Sequence, residues 1–513
     1  MDKNYYITTP IYYPSAKPHM GHAYTSIIAD FFARFKRIDG FDVHFLTGTD
    51  EHGLKIQRAA ESKNIDPLEF CDQISQTFRD LSKTLNLSNT DFIRTTEERH
   101  KKTVQHLWSE LEKNDEIYLS KYSGWYSVSD EAYYNNDEII DKDNNKIAEA
   151  SGSTVEWIEE ESYFFRLSKW QDKLLDYYEK NSDFILPKSK KNEVISFVKG
   201  GLKDLSISRK AFSWGIKVPG NPKHVIYVWL DALTNYISAL NYPDTNNILF
   251  KKFWPASVHL IGKDILRFHA VYWPAFLMAA KIPLPNKVYG HGWILSGEEK
   301  MSKSKGNILD PIDIINKYGL DALRYYLIKE VSFGSDGNIS QDRLESCINS
   351  DLANNYGNLC QRVTAFAEKN CLSKIPKIKN FDRADLVILN KFTENLEIIR
   401  QEIDKQNINF YITFIVNALF EANKYFNDQE PWKKKDDHDR LNTIVYTALE
   451  IIRKISFLLY PIIPHSIDKA LKIFNLDSND INFESIATHD HLRAGDHINK
   501  IGILFKKFEK KND

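Results

Sequence analysis

Two short clusters, far apart in the chain, carry side chains suited to handling phosphate: His19-Met20-Gly21-His22 near the start and Lys300-Met301-Ser302-Lys303-Ser304 downstream. In the first, two imidazoles stand about one helical turn apart and so project to the same side. Gly21 between them lets a ligand lie against the backbone. A helix N-terminus there would add N–H groups and partial positive charge. Alone, the cluster reads as readily as a helix start with two surface histidines. In the second, ammonium groups alternate with hydroxyls between Gly297 and Gly306, giving a loop able to close over a polyphosphate. Lys/Ser runs are commonly no more than solvated loops. Together and in this order, the clusters suggest one site, built from two distant segments, that stabilises a transferring nucleoside triphosphate.

The elements that must position these groups are legible in outline. Tyr5-Tyr6-Ile7-Thr8 is β-branched and aromatic and reads as a buried strand, broken by Pro10 and Pro14. Pro18 stands where a helix would begin, and Ala23, Ile27, Phe31 and Phe35 then recur on one helical face. His44-Phe45-Leu46-Thr47 is a second strand whose carboxyl end delivers Asp50 and His52, where open α/β sheets bind ligands. The reading is an α/β chain: a Rossmann-like, doubly wound parallel sheet with an inserted connective domain, followed by a linking module and an α-helical bundle. Residues 1–115 hold the first half of the sheet; residues 116–225, acidic, Asn-rich and aromatic, form the insertion. The sheet resumes at Val225-Ile226-Tyr227-Val228, continues through Val258-His259-Leu260-Ile261 and ends near Leu295, closing a second half over 226–296. The Lys/Ser loop and linking module take 297–345, the bundle 346–480, and 481–513 is a tail without an assigned role.

Composition bounds the function classes. A chain of 513 residues has room for two to four domains, and 42% hydrophobic residues with ten tryptophans indicate folded cores. With a net charge of −2, any nucleic-acid binding must come from local patches. Cys71, Cys347, Cys360 and Cys371 lack CxxC spacing and suggest no disulfide framework, which fits a reducing compartment. Asp2 and Lys3 lead straight into the first strand, so no signal sequence is expected, and Arg453 and Lys454 split the longest apolar stretch. A cytoplasmic protein that does not span a membrane is the expectation.

Further segments give the clusters their company: Pro10-Ile11-Tyr12-Tyr13, Thr49-Asp50-Glu51-His52-Gly53, Ser206-Ile207-Ser208-Arg209, Tyr227-Val228-Trp229-Leu230-Asp231-Ala232 and Ile261-Gly262-Lys263-Asp264-Ile265. In their order and spacing, from residue 4 to about 480, the chain resembles the class I aminoacyl-tRNA synthetases, and among them the methionyl-tRNA synthetases. The resemblance implies an ATP-dependent ligase. Methionine's carboxylate attacks the α-phosphate of ATP, bound as its Mg2+ complex, and the adenylate is then attacked by the terminal ribose hydroxyl of tRNA(Met). It assigns His19, Gly21 and His22 to the phosphates. Lys303 of the mobile loop goes to the departing pyrophosphate, with Lys300 helping and Ser302 and Ser304 completing the motif. Such catalysis is positioning plus electrostatic stabilisation.

A thioether is apolar, polarizable and unbranched, so its pocket should be aromatic with one polar contact near sulfur. The residues matching the family pocket are Pro10, Ile11, Tyr13, Trp229, Ala232, Leu233, Tyr236, Ile265 and His269. Asp50 matches the carboxylate that receives the substrate ammonium. Gly262 and Asp264 are expected to face the adenosine, with Arg209 beside the methionine set. Taken singly, Trp229 and His269 would pass for ordinary core residues. At the far end, Asn358 and Arg362, one helical turn apart, and Trp432 fall where the family reads the CAU anticodon. A helix-capping Asn and a packed Trp would explain the same residues. The module at 297–345 would contact the tRNA stem.

The insertion departs from the family. Relatives commonly carry a zinc knuckle there, but Ser127, Ser129, Ala148 and Ser151 occupy the ligand positions, so no zinc is expected. Tyr122, Trp125, Tyr126, Tyr133 and Trp157 are expected to pack into a small core instead. With no OB-type module after the bundle, a monomer is expected. Two alternatives stay open at this point. A class I ligase for leucine, isoleucine, valine or cysteine would usually need editing, for which an insertion of roughly 110 residues is small. A catalytically inactive tRNA-binding adaptor would not need the intact His19, His22, Asp50 and Lys303.

Overall fold

The aromatic and β-branched run at the start of the chain forms the strand Asn4–Tyr12, and the site is organised around its carboxyl end. The computed structural model describes residues 3–14, 17–130, 132–134, 136–142, 145–296, 299–300 and 310–508. It divides into two compact units, Met1–Ala29 with Val43–His291, and Asp30–Asp42 with Gly292–Asp513.

The first unit holds a six-stranded sheet in the order Asp91–Arg94, Asp42–Thr49, Asn4–Tyr12, Val258–Gly262, Val288–His291, Ile185–Leu186. Ile7 pairs with Val258, Thr47 with Phe92, Leu260 with Tyr289 and Val288 with Ile185, all in parallel. The chain winds outward one way through Asp42–Thr49 and Asp91–Arg94, and the other way through Val258–Gly262. The switch in direction beside Asn4–Tyr12 opens the crevice where such sheets bind ligands. Parallel strands are covered on both faces, and the strand Asp42–Thr49 is accordingly buried from Val43 onward. Helix Pro67–Thr84 begins on a proline behind Asp66, whose carboxylate accepts from the amides of Leu68 and Glu69.

Several sequence expectations change here. The first strand runs through Pro10 to Tyr12. Pro10 lies beyond the Ile7 and Thr8 pairing with Val258 and His259. The sheet does not resume at Val225. Asn221–Ile226 is the middle strand of a separate antiparallel sheet with Ser208–Arg209 and Lys217–Val218, and Tyr227 precedes helix Val228–Leu233. β-propensity marks a strand without saying which sheet will take it. Conversely, Ile185–Leu186, inside the presumed insertion, returns to the edge of the main sheet. Ile294–Ser296 belongs to a small sheet of the second unit with Glu299–Lys300 and Gly337–Ile339.

The insertion centres on the long antiparallel pair Ile117–Ser127 and Glu156–Phe165. Among the described residues its aromatics Trp125, Tyr126 and Trp157 do not close into one core. Trp125 and Tyr126 are consecutive and face opposite ways. Tyr126 is buried, whereas Trp125 meets Trp157 edge-on at 5.2 Å with Trp157 still 48% exposed. The side chains of Tyr122 and Tyr133 lie outside the described residues.

In the second unit the helices Arg383–Asp404, Ile408–Asp428 and His438–Leu459 bury apolar faces against one another. The fully buried Arg324 pairs with Asp30 at 2.7 Å and donates to the carbonyls of Pro461 and Ile462. The tail is part of this core: Ile481, Phe483 and Ile486 are buried, and the Lys454 ammonium donates to the carbonyls of Ile486 and Thr488. Among the described residues no helix is long and apolar enough to cross a membrane.

Candidate active site

Helix Met20–Ile38 starts directly after the first strand, and its first turn fixes both histidines. The Gly21 amide donates to His19 Nδ1 at 3.0 Å, the His19 amide to His22 Nδ1 at 3.1 Å, and the two rings stack at 3.8 Å. An imidazole that accepts at Nδ1 and is neutral carries its hydrogen on Nε2. Burial, and then the neighbouring His19, hold His22 well below the ordinary histidine range. Tyr12 and Phe78 flank its ring at 4.8 and 5.2 Å. The motif thus supplies neutral N–H donors of set tautomer at a helix N-terminus, suited to an anion. Gly21 leaves room for this arrangement, since a Cβ there would meet His19 Cε1 at 2.9 Å and push the ring aside.

The end of strand Asp42–Thr49 is held from every side. The Asp50 amide donates to the Tyr12 carbonyl at 2.9 Å. The Glu51 carboxylate, fully buried, accepts from Thr49 Oγ1 (2.7 Å), Arg94 Nε (2.7 Å) and Thr96 Oγ1 (2.6 Å). Trp214 Nε1 donates to the Glu51 carbonyl at 2.6 Å, and the Tyr13 hydroxyl to the His52 carbonyl at 3.0 Å. This scaffold sets the nearly buried Asp50 carboxylate at the carboxyl end of the sheet. Glu51, Arg94 and Trp214 were not singled out from the sequence; Glu51's place inside the motif was the available signal.

Aromatic side chains gather between helix Val228–Leu233 and the turn that follows strand Val258–Gly262. Trp229 lies flat on Phe268, centroids 3.7 Å apart and planes 6° from parallel, and meets His269 edge-on. His269 Nδ1 donates to the Ile265 carbonyl at 2.9 Å, so its Nε2, 2.7 Å from the Tyr236 hydroxyl, is the acceptor in the neutral ring. Burial lowers the His269 pKa to about 4. Phe268–Tyr272 is a π-helical turn, a form frequent at functional sites, and it presents both Phe268 and His269. Ile11, Tyr13, Trp229 and Ile265 pack half-buried on the core that includes Leu233 and Tyr236, with Pro10 on the same strand end and Ala232 on the same helix as Trp229. Phe268 escaped the sequence reading. Asp264 is exposed, and a Cβ on Gly262 would come within 2.7 Å of its Oδ1. Arg209 is buried between the rings of Tyr126 (5.5 Å) and Tyr227 (4.6 Å), with Nη1 donating to the Ser206 and Ser208 carbonyls.

In the second unit, Lys300 pairs through its backbone with Leu295, and Ser302, Lys303 and Ser304 lie outside the described residues. Arg362, on helix Asn358–Asn370, donates to Asn427 Oδ1 at 2.6 Å and lies over Phe426, which also meets Trp432 edge-on. Trp432 remains 41% exposed. It follows Glu430, held at φ 44°, a left-handed turn that a glutamate adopts only under constraint.

A family model described as "tRNA synthetases class I (M)" matches residues 5–364, and one described as "Anticodon binding domain of methionyl tRNA ligase" matches residues 375–513. The chain is 51% identical to the methionine–tRNA ligase of Rickettsia felis, over 99% of both chains. It is 50% identical to that of Brucella suis, over 94% of both. The solved structure of Mycobacterium tuberculosis methionyl-tRNA synthetase in complex with methionyl-adenylate superposes with a TM-score of 0.95 at 44% identity, covering 98% of this chain and 99% of that one. The chain belongs to the class I methionyl-tRNA synthetase family. Methionyl-tRNA synthetases are ATP-dependent aminoacyl-tRNA ligases, and similarity over the full length sets aside the synthetases for other small apolar amino acids.

The knuckle position of this chain does not fit zinc. Asp130 accepts from Ser151 Oγ (2.5 Å), Ser153 Oγ (2.8 Å) and the Tyr134 hydroxyl (2.7 Å), while Ser127 Oγ accepts the Asp130 amide at 3.2 Å and lies 3.1 Å from Ser129 Oγ. Ala148 is fully buried. Protonated hydroxyls gathered on one carboxylate are a hydrogen-bonded turn, whereas zinc takes thiolate or imidazole. Among the described residues no group of three or more His, Cys, Asp or Glu side chains could hold a metal.

Proposed function

We propose that this member of the family activates methionine in the crevice of the first unit, with Asp50 receiving the ammonium and Trp229, Tyr236, Ile265 and His269 enclosing the thioether. Pro10, Ile11, Tyr13, Ala232 and Leu233 shape the rest of the pocket. The observation that carries this reading is the His269 ring, locked as a neutral acceptor of the Tyr236 hydroxyl inside an aromatic wall. An uncharged polar pair in an apolar pocket suits a polarizable sulfur and disfavours a charged side chain.

ATP would enter as its Mg2+ complex, the ion neutralising charge on the phosphates. The methionine carboxylate, oriented through its own ammonium on Asp50, attacks the α-phosphorus as the bond to pyrophosphate breaks. His19 and His22 would donate Nε2 hydrogens to phosphate oxygens, and their neutrality avoids moving a proton during the step. Gly262 and Asp264 would line the adenosine side. Lys300, Ser302, Lys303 and Ser304 would draw charge off the leaving group. The tRNA(Met) ribose hydroxyl then takes the acyl group and releases AMP, with Asn358, Arg362 and Trp432 meeting the anticodon. Monomeric, cytoplasmic and zinc-independent action is part of the same proposal.

Pyrophosphate exchange with single amino acids tests it. Methionine should drive exchange at least about a hundredfold better than leucine, isoleucine, valine or cysteine. Exchange driven equally by any of these would defeat the pocket assignment.

A further inference from the structure

The first unit contains a second cluster of titratable groups that the reaction itself does not use. Asp231 is fully buried on helix Val228–Leu233, between Trp229 and Ala232 of the pocket wall. Its Oδ2 accepts from His52 Nδ1 at 2.7 Å and its Oδ1 from His100 Nε2 at 2.7 Å. His100, on helix Glu98–Lys113, is itself anchored through Nδ1 to Ser238 Oγ at 3.0 Å. His52 and His100 are 4% and 0% exposed, so both oxygens are spent on two imidazoles in a dry setting.

Burial works to raise the Asp231 pKa, yet His52 and His100 hold it below the ordinary carboxylate value. An ionised carboxylate accepts only, and charge-assisted bonds of this kind fix geometry firmly. One of its partners is the residue two beyond Asp50. The other belongs to a helix that carries no pocket residue. Asp231 thus joins three elements: the loop bearing Asp50, the helix bearing Trp229, and the scaffold helix bearing His100.

We propose that Asp231 is a positioning residue that, through His52 and His100, sets the distance between the ammonium-binding Asp50 and the aromatic wall of the methionine pocket. The inference rests on the assignment of Asp50 to the substrate ammonium. Aromatic and ionic contacts to one small substrate must be satisfied together, so a loop displaced by a fraction of an ångström loses one or the other. On the phosphate side, His19 and His22 are set by backbone amides of the first turn of helix Met20–Ile38 itself.

Methionine-dependent pyrophosphate exchange on the full chain separates the roles. D231N and H52L should raise the methionine KM by about ten- to a hundredfold while the ATP KM stays within about twofold. H52N keeps an N–H near the place of Nδ1 and should recover most of the methionine KM. Near-UV circular dichroism confirms that each variant is folded, and the H52L and H52N pair carries the test if D231N does not fold. Equal rises in both KM values, an unchanged methionine KM in D231N and H52L, or H52N as impaired as H52L would overturn the proposal. D50N is the control. If D50N raises the methionine KM and D231N does not, positioning by Asp231 fails and the ammonium assignment stands. If D50N leaves the methionine KM unchanged, the ammonium assignment fails and takes this proposal with it.

Discussion

The Tyr236 hydroxyl and His269 Nε2 lie 2.7 Å apart, and because His269 Nδ1 already donates to the Ile265 carbonyl, the hydrogen between them belongs to the tyrosine. Tyr236 is held in turn by its stack on His259 at 4.0 Å. Tyr236 and His269 therefore form a fixed pair of neutral groups, the polar end of the methionine pocket proposed above.

Tyr236→Phe removes one anchor of the His269 ring and leaves its Nε2 without the tyrosine hydroxyl. The methionine KM should rise by about tenfold or more, with the ATP KM within about twofold. Steady-state exchange kinetics check it, and parallel changes in both constants would refute the pairing's role in the pocket.

His269 resists protonation in the folded chain down to about pH 4, whereas an unfolded chain takes up the proton near 6.5. Its neutral ring contributes stability that is complete above pH 6.5, declines as pH falls towards about 4, and changes no further below that, a total of order 3 kcal/mol. Melting curves should show His269→Asn losing less stability than the parent between pH 7 and 4.5. Identical acid slopes would contradict the burial effect.

Lys303→Ala should slow adenylate formation by about two to three orders of magnitude and leave methionine affinity nearly unchanged, as for a charge contact made chiefly in the transition state. A single-turnover rate within a few-fold of the parent would sink the loop assignment.

Trp432→Ala should impair charging of tRNA(Met) while sparing methionine-dependent pyrophosphate exchange. The exposed ring beside Phe426 can stack on an unpaired base. Loss of both activities together would mark Trp432 as a folding residue.

Purified, tag-free protein should contain no stoichiometric zinc and keep its melting temperature under strong chelation, since hydroxyls on Asp130 occupy the knuckle. Asp130→Ala should instead loosen the turn locally, read as faster amide exchange at residues 127–153. Zinc at one equivalent, or unfolding by chelator, would refute this.

Local chemistry made much of the protein legible. Two histidines around a glycine after a strand and before an amphipathic helix are a short-range pattern, and the strand, the helix and their order were all readable from residues near in sequence. So were the family and the helical second half, because each rests on residue types at fixed spacings. What escaped the sequence are relations between distant segments. Nothing near residue 225 says that Asn221–Ile226 will find antiparallel partners, and two residues at Ile185 and Leu186 are too few to show a period. The tail looked unassigned because its few apolar residues are buried by other helices, not by each other. Glu51, Phe268, Asp231 and His100 were silent for the same reason: a buried carboxylate or a stacked ring gains its meaning from a partner, and Arg94 stands 43 residues from Glu51, His100 131 from Asp231 and His52 179 from Asp231. Sequence fixes which groups are available and on which face of a local element they stand. Packing alone decides which of them lose water together, and that sets the tautomers, the charge states and the distances of the site.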